Sequence, residues 1–183
     1  MRIEGAAPLR IGLIGFGAIG REVAAALRAG RAGRAVLRAV LVRDLSRYAP
    51  AGDGFAEALI ADQAVRFIDD GEAFLATELD VVVEVAGQAA VRQYGARVLG
   101  AGLTLLVASI GAFTDDDLYA EFQGLAGTHG GRLLLVGGAL PGVDWMQSAA
   151  QAPVRSVTIT QTKPVASWLG TPAEALVALA DLT

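Results

Sequence analysis

The chain has 183 residues, enough for one domain or for one domain and part of a second. Hydrophobic residues make up 54% and charged residues 19%, which provides for a large core and excludes a disordered chain. A formal net charge of −4 offers no basic footprint for nucleic acid, and the absence of cysteine excludes disulfides, thiolate metal sites and cysteine nucleophiles. Met1 to Arg10 contains Glu4 and no apolar core, so no signal peptide is expected. The longest apolar runs, such as Leu103 to Ala108, are too short to span a bilayer. The expectation is a cytoplasmic protein with no membrane partner.

In chain order, Leu9 to Ile14 reads as a buried strand. Three glycines follow at G-x-G-x-x-G spacing, Gly15, Gly17 and Gly20, and a helical pattern runs from about Ala18 to Ala29. A strand, a glycine turn and a helix in this order form the fingerprint of a dinucleotide site. Gly15 permits the tight turn, Gly17 lets backbone approach a pyrophosphate, and Gly20 lets the helix pack closely on the strand. Free N–H groups at the helix start, with the helix dipole, favour phosphate charge there. The whole turn, Gly15-Phe16-Gly17-Ala18-Ile19-Gly20, is therefore assigned to cofactor binding. The plain alternative is a tight strand-to-helix turn in some other α/β protein.

Val36 to Val42 reads as the second strand, ending at Arg43-Asp44. A carboxylate there accepts hydrogen bonds from an adenosine ribose and favours NAD, whereas Arg43 would hold the 2′-phosphate of NADP. Asp44 also suits a cap before Leu45-Ser46, and one position can do both. The choice of NAD or NADP stays open. Ser46 to Gly54 reads as irregular, Phe55 to Ala61 and Asp70 to Ala76 as short helices, and Val65 to Ile68 as a third strand. Asp80 to Val85 is a buried strand followed by Ala86, Gly87 and Gln88, at the strand end where ligands sit in a doubly wound sheet.

Ala89 to Leu99 reads as a helix, Leu103 to Ser109 as a strand, and Thr114 as the N-cap of an acidic-started helix ending near Gly127. Arg132 to Val136 is the next strand and Val143 to Ala150 the next helix. Val154 to Thr162 alternates in the manner of a half-exposed antiparallel strand, and Thr171 to Leu182 reads as a capped helix. The pattern predicts a Rossmann-type doubly wound parallel sheet over residues 1–112. A partial α+β domain is expected over 113–183.

With these motifs in place, the chain resembles the L-aspartate dehydrogenase family. The resemblance rests on Gly15 to Gly20, on Asp80 to Val85, and on Val107-Ala108-Ser109-Ile110-Gly111-Ala112. It extends through Gly137-Gly138-Ala139 with Gly142-Val143-Asp144, then Thr162-Lys163-Pro164 and Trp168 to Pro172. Family members oxidise L-aspartate to iminosuccinate with NAD or NADP, a step that can feed nicotinamide cofactor synthesis. The resemblance implies that Ala139 touches the nicotinamide end and that Ser109 and Gly111 line the same cleft. It also implies a homodimer. The family's catalytic His belongs to a segment beyond the end of this sequence. The single histidine here, His129, reads as a turn residue. Lys163 is the candidate partner for a substrate carboxylate, ahead of Arg155, which reads as a solvated strand residue. Two other readings stand beside the dehydrogenase: a catalytically inactive NAD(P)-binding module, and a related dehydrogenase acting on another small substrate.

Overall fold

Short runs of Val, Leu and Ile bounded by Gly and Asp build the centre of the molecule. The structure is a computed structural model and describes residues 7–48, 54–61, 65–137, 142–160, 162–169 and 172–179. The strands are β1 (Leu9–Ile14), β2 (Ala35–Leu41), β3 (Arg66–Ile68), β4 (Val81–Glu84), β5 (Thr104–Val107) and β6 (Arg132–Leu135). They form one six-stranded sheet in the order β3-β2-β1-β4-β5-β6, and every pairing is parallel. Helices α1 (Ala18–Arg28), α2 (Gly54–Ala61), α3 (Gly71–Leu75), α4 (Gln88–Gly100) and α5 (Asp116–His129) make the connections, and α6 (Val143–Ala149) follows β6. The strand order reverses between β1 and β4, which places the ligand crevice at their carboxyl ends.

Side chains alternate across the sheet and feed two cores. Ile11 and Leu13 join Ala24 and Leu27 of α1 with Val40 and Leu59 on one face. Ile14, Val82, Leu105 and Val107 join Phe74, Val91, Val98 and Phe122 on the other. Gly12 lies between them in β1, and a Cβ there would come 2.6 Å from the Phe74 ring.

The described residues divide after residue 141 into two compact units. The expected boundary near residue 112 falls inside the first unit, because α5 and β6 extend the same parallel sheet. Three other expectations are corrected. Asp115, not Thr114, caps α5: its carboxylate accepts from the Leu118 amide at 3.2 Å, while the Thr114 hydroxyl donates to the Gly111 carbonyl. Asp115 also accepts from Arg92, and that bond together with the Leu118 amide holds its carboxyl below the usual range. Val154 to Thr162 forms no strand in its described residues. Residues 154–160 are exposed throughout, and alternation without a pairing partner leaves a ladder unmade. Within Thr171 to Leu182 the structure shows a 3-10 turn, Pro172–Ala175, in place of a long helix, and residues 171 and 180–183 lie outside the described residues.

At the amino ends of the strands, Arg10 clasps Asp80. Its Nη2 and Nε donate to the two carboxylate oxygens at 2.8 and 3.1 Å, and its backbone amide adds a third bond at 2.8 Å. These bonds push the Asp80 carboxyl down to about 2 from 3.8. A carboxyl lowered on folding stabilises the fold above its unfolded value and loses that contribution as pH falls through the folded value. The pair is a third exposed, so solvent screening reduces its worth to about 1 kcal/mol. Asp80→Asn is expected to be less stable than the parent by that amount at pH 6. The gap should close between about pH 4 and pH 2, as read by urea unfolding at each pH.

Candidate dinucleotide site

The turn after β1 carries the site. Gly15 has φ +101°, and a Cβ on it would lie 2.8 Å from the Ala86 Cβ, so the β1 and β4 ends meet backbone to backbone. A Cβ on Gly20 would collide with the Gly15 carbonyl oxygen, which fixes how closely α1 approaches the turn. Among the described residues nothing lies within 4 Å of the Cβ position at Gly17. Gly17 is the N-cap of α1, with no side-chain cap and no acidic residue in the first turn. Among the described residues the helix therefore presents N–H groups without a side-chain cap beside open space, the arrangement that fits a pyrophosphate. Ala18 and Ile19 are exposed on that first turn and Gly20 is buried.

Phe16 does a different job from its neighbours. Its ring is buried, edge-on to Phe67 at 4.9 Å and Tyr48 at 5.7 Å and stacked with Phe55 at 6.2 Å. This aromatic group anchors the turn to the layer beneath it. Arg21 caps the ring, with its guanidinium carbon 4.8 Å from the centroid.

A cleft of about 250 Å³ opens from this turn. It brings Gly15, Phe16 and Gly17 together with Arg43 and Asp44 on one side and Ala86 on the other. Asp44 accepts at Oδ1 from the Ser46 amide at 3.0 Å and the Ser46 hydroxyl at 2.5 Å, capping the 3-10 turn Leu45–Tyr48. Its Oδ2 makes no hydrogen bond among the described residues. The cap and the ribose acceptor thus use different oxygens of one carboxylate. The Ser46 bonds, followed by the nearby Arg47 charge, hold this carboxyl below its ordinary range. Arg47, Tyr48, Gln93 and Tyr94 also line the cleft, and sequence reasoning missed all four. They enter from the 3-10 turn and the outward side of α4, positions that carry no motif.

The remaining residues are distributed differently. Gly87, at φ +121°, caps α4 from beneath the cleft wall. Ser109 turns its amide and its hydroxyl onto the Glu84 carboxylate at 3.2 and 3.1 Å. Gly111 sits against Gln88, whose Nε2 would be 2.5 Å from a Cβ there. Ala139 lies outside the described residues. His129 is the exposed last residue of α5, followed by Gly130 in the left-handed conformation. Lys163 lies with its Nζ 5.2 Å from the Trp168 ring centroid, and Arg155 is exposed. Both belong to the second unit.

Glu84 is the residue that sequence reasoning passed over. It is 1% exposed and the only buried charged residue among those described. A lone acid in an otherwise apolar strand was the available signal.

Residues 15–136 match the family model described as the homoserine dehydrogenase NAD binding domain. An L-aspartate dehydrogenase of Bordetella pertussis is 36% identical over 159 residues, covering 87% of this chain and 56% of that protein. One from Brucella anthropi is 35% identical over 174 residues, covering 93% and 60% respectively. The chain thus spans little more than half the length of the curated relatives it matches. The crystal structure of aspartate dehydrogenase from Thermotoga maritima superposes with a TM-score of 0.54 at 19% identity, over 78% of this chain and 52% of that one. At that identity the superposition shows the fold alone.

Proposed function

We infer, from the premise that the chain belongs to the NAD-binding domain family of homoserine dehydrogenase and stands there with the L-aspartate dehydrogenases, that it holds the dinucleotide for NAD(P)-dependent oxidation of L-aspartate to iminosuccinate. The observation that carries the reading is the open Gly17 turn at the mouth of a cleft that reaches Asp44. The bound nicotinamide would supply the hydride acceptor. This chain's own residues do the holding. The α1 N–H groups would meet the pyrophosphate, Asp44 Oδ2 would accept from the adenosine ribose, and Arg43 and Arg47, which line the same cleft, would hold a 2′-phosphate. Ala86 forms the wall on the β4 side, Gly87 behind it is assigned with it to the cofactor, and Ala139 is assigned to the nicotinamide end. In the second unit, Lys163 is the cation for a substrate carboxylate.

The protein acts in the cytoplasm as a homodimer on this reading. Among the described residues no helix is long and apolar enough to cross a membrane. The test is a spectrophotometric assay for NADH or NADPH with L-aspartate, with cofactor binding followed in parallel. Aspartate-dependent reduction supports the reading. Cofactor binding without reduction supports a binding module, and reduction with a different small amino or hydroxy acid supports a related dehydrogenase.

A further inference from the structure

Glu84 ends β4 with its side chain under the cleft wall. Its Oε1 accepts from the Ala86 amide at 2.7 Å, the Gly87 amide at 2.8 Å and the Ser109 hydroxyl at 3.1 Å. Its Oε2 accepts from the Ser109 amide at 3.2 Å. Three of the four bonds come from backbone amides, which can only donate, and the fourth from a hydroxyl that donates here, an arrangement that suits a carboxylate. No Lys or Arg pairs with it among the described residues. Dipoles stabilise the charge, including the amino end of α4, but dipoles do not cancel it. A carboxylate charge at this buried position acts where fields are weakly screened.

Its place relative to the cleft follows from the topology. The Ala86 amide that it holds belongs to the residue packed against Gly15. Asp44 and Arg43 lie beyond β2, on the other side of β1. A dinucleotide whose phosphates meet the Gly15–Gly20 turn and whose adenosine ribose meets Asp44 must extend its other half towards β4 and β5. That half carries the ring whose charge changes: positive when oxidised, neutral when reduced.

Resting on the dinucleotide reading above, we propose that Glu84 is an electrostatic positioning residue that biases the site towards the oxidised cofactor, holding NAD⁺ and releasing NADH. It acts through the field beneath the Ala86–Gly87 and Ser109 loops and makes no contact with substrate. A site so biased favours substrate oxidation and hastens exit of the reduced product.

The experiment is calorimetric titration of the 183-residue chain and of Glu84→Gln with NAD⁺, NADH and ADP-ribose, which lacks the nicotinamide. Removal of the charge is expected to lower the NAD⁺-to-NADH affinity ratio about tenfold, the effect of one charge across partly screened protein, while ADP-ribose affinity holds within twofold. A ratio that stays unmoved while all three ligands bind overturns the proposal and leaves the dinucleotide reading intact. Failure of the parent chain to bind any of the three overturns both. Gln places an amide N–H₂ against donors, so folding is checked by thermal melting. Ser109→Ala is the second variant. It keeps the charge and strips one hydroxyl donor, so the ratio should move the opposite way, about threefold towards NAD⁺. No movement, or movement towards NADH, overturns the proposal.

Discussion

Gly17→Val is expected to lower NAD⁺ and NADP⁺ affinity at least about a hundredfold, or about 2.7 kcal/mol, and to leave the melting temperature within a few degrees of the parent. The asymmetry comes from the geometry. Gly17 has φ −80° and ψ −159°, ordinary extended backbone for any residue, and its Cβ position meets no atom of the described residues within 4 Å. The folded protein therefore has room for valine. The space it fills is the space beside the uncapped α1 amides, where phosphate oxygens would need to approach backbone. The neighbouring glycines behave differently. Valine at Gly15 meets both a positive φ and Ala86, and valine at Gly20 meets the Gly15 carbonyl, so both changes damage the turn itself. Titration with each cofactor beside a thermal melt separates the cases. Unchanged affinity in Gly17→Val overturns the dinucleotide site.

Gly95→Ala is expected to destabilise the fold by about 2 kcal/mol, against the usual sign for such a change in a helix. Glycine inside an exposed helix costs about 1 kcal/mol relative to alanine, so propensity alone predicts a gain. Gly95 faces α5, however. A Cβ there would overlap the ring of Phe122, which is fully buried, and would also approach Leu105 Cδ2 at 3.3 Å. Overpacking a filled core costs about 1–3 kcal/mol, and here it outweighs the helix gain. Phe122→Leu in the Gly95→Ala background should recover part of the loss, because it vacates the space the methyl needs. Urea unfolding of the two single variants and the double variant gives the coupling between them. A stabilised Gly95→Ala would mean that α4 and α5 pack differently from the arrangement described.

The chain's sequence carried the sheet and the turn because both depend on local signals. β1, β2 and β4 are short apolar runs closed by Gly, Arg-Asp or Ala-Gly, and their expected ends agree with the structure to within a residue or so. The resemblance to L-aspartate dehydrogenases, drawn from Gly15–Gly20, Ser109–Ala112 and Lys163-Pro164, agrees with relatives at about one-third identity over most of the chain. Capping was harder to read. Thr114 and Asp115 are adjacent and both cap helices well, so the choice turned on which backbone amide came within reach, and that was Leu118 facing Asp115. Alternation misled at Val154 to Thr162, because a period of two reports a pleat only when a partner strand accepts its hydrogen bonds.

By itself, then, the sequence determined where the backbone must turn tightly, which strands must be buried and where phosphate would meet a helix. These features follow from glycine's missing Cβ and from apolar periodicity, which act over a few residues. Tertiary structure alone decided the rest. It brought Arg47, Tyr48 and Tyr94 to the cleft from two different elements, made Gly95 a packing necessity, and kept α5 and β6 in the first unit's sheet. It also turned Glu84, one acid in a run of valines, into a buried charge held by donors from two loops. Each of these depends on which residues distant in sequence come within a few ångströms, a relation set by the sheet order and by no local spacing.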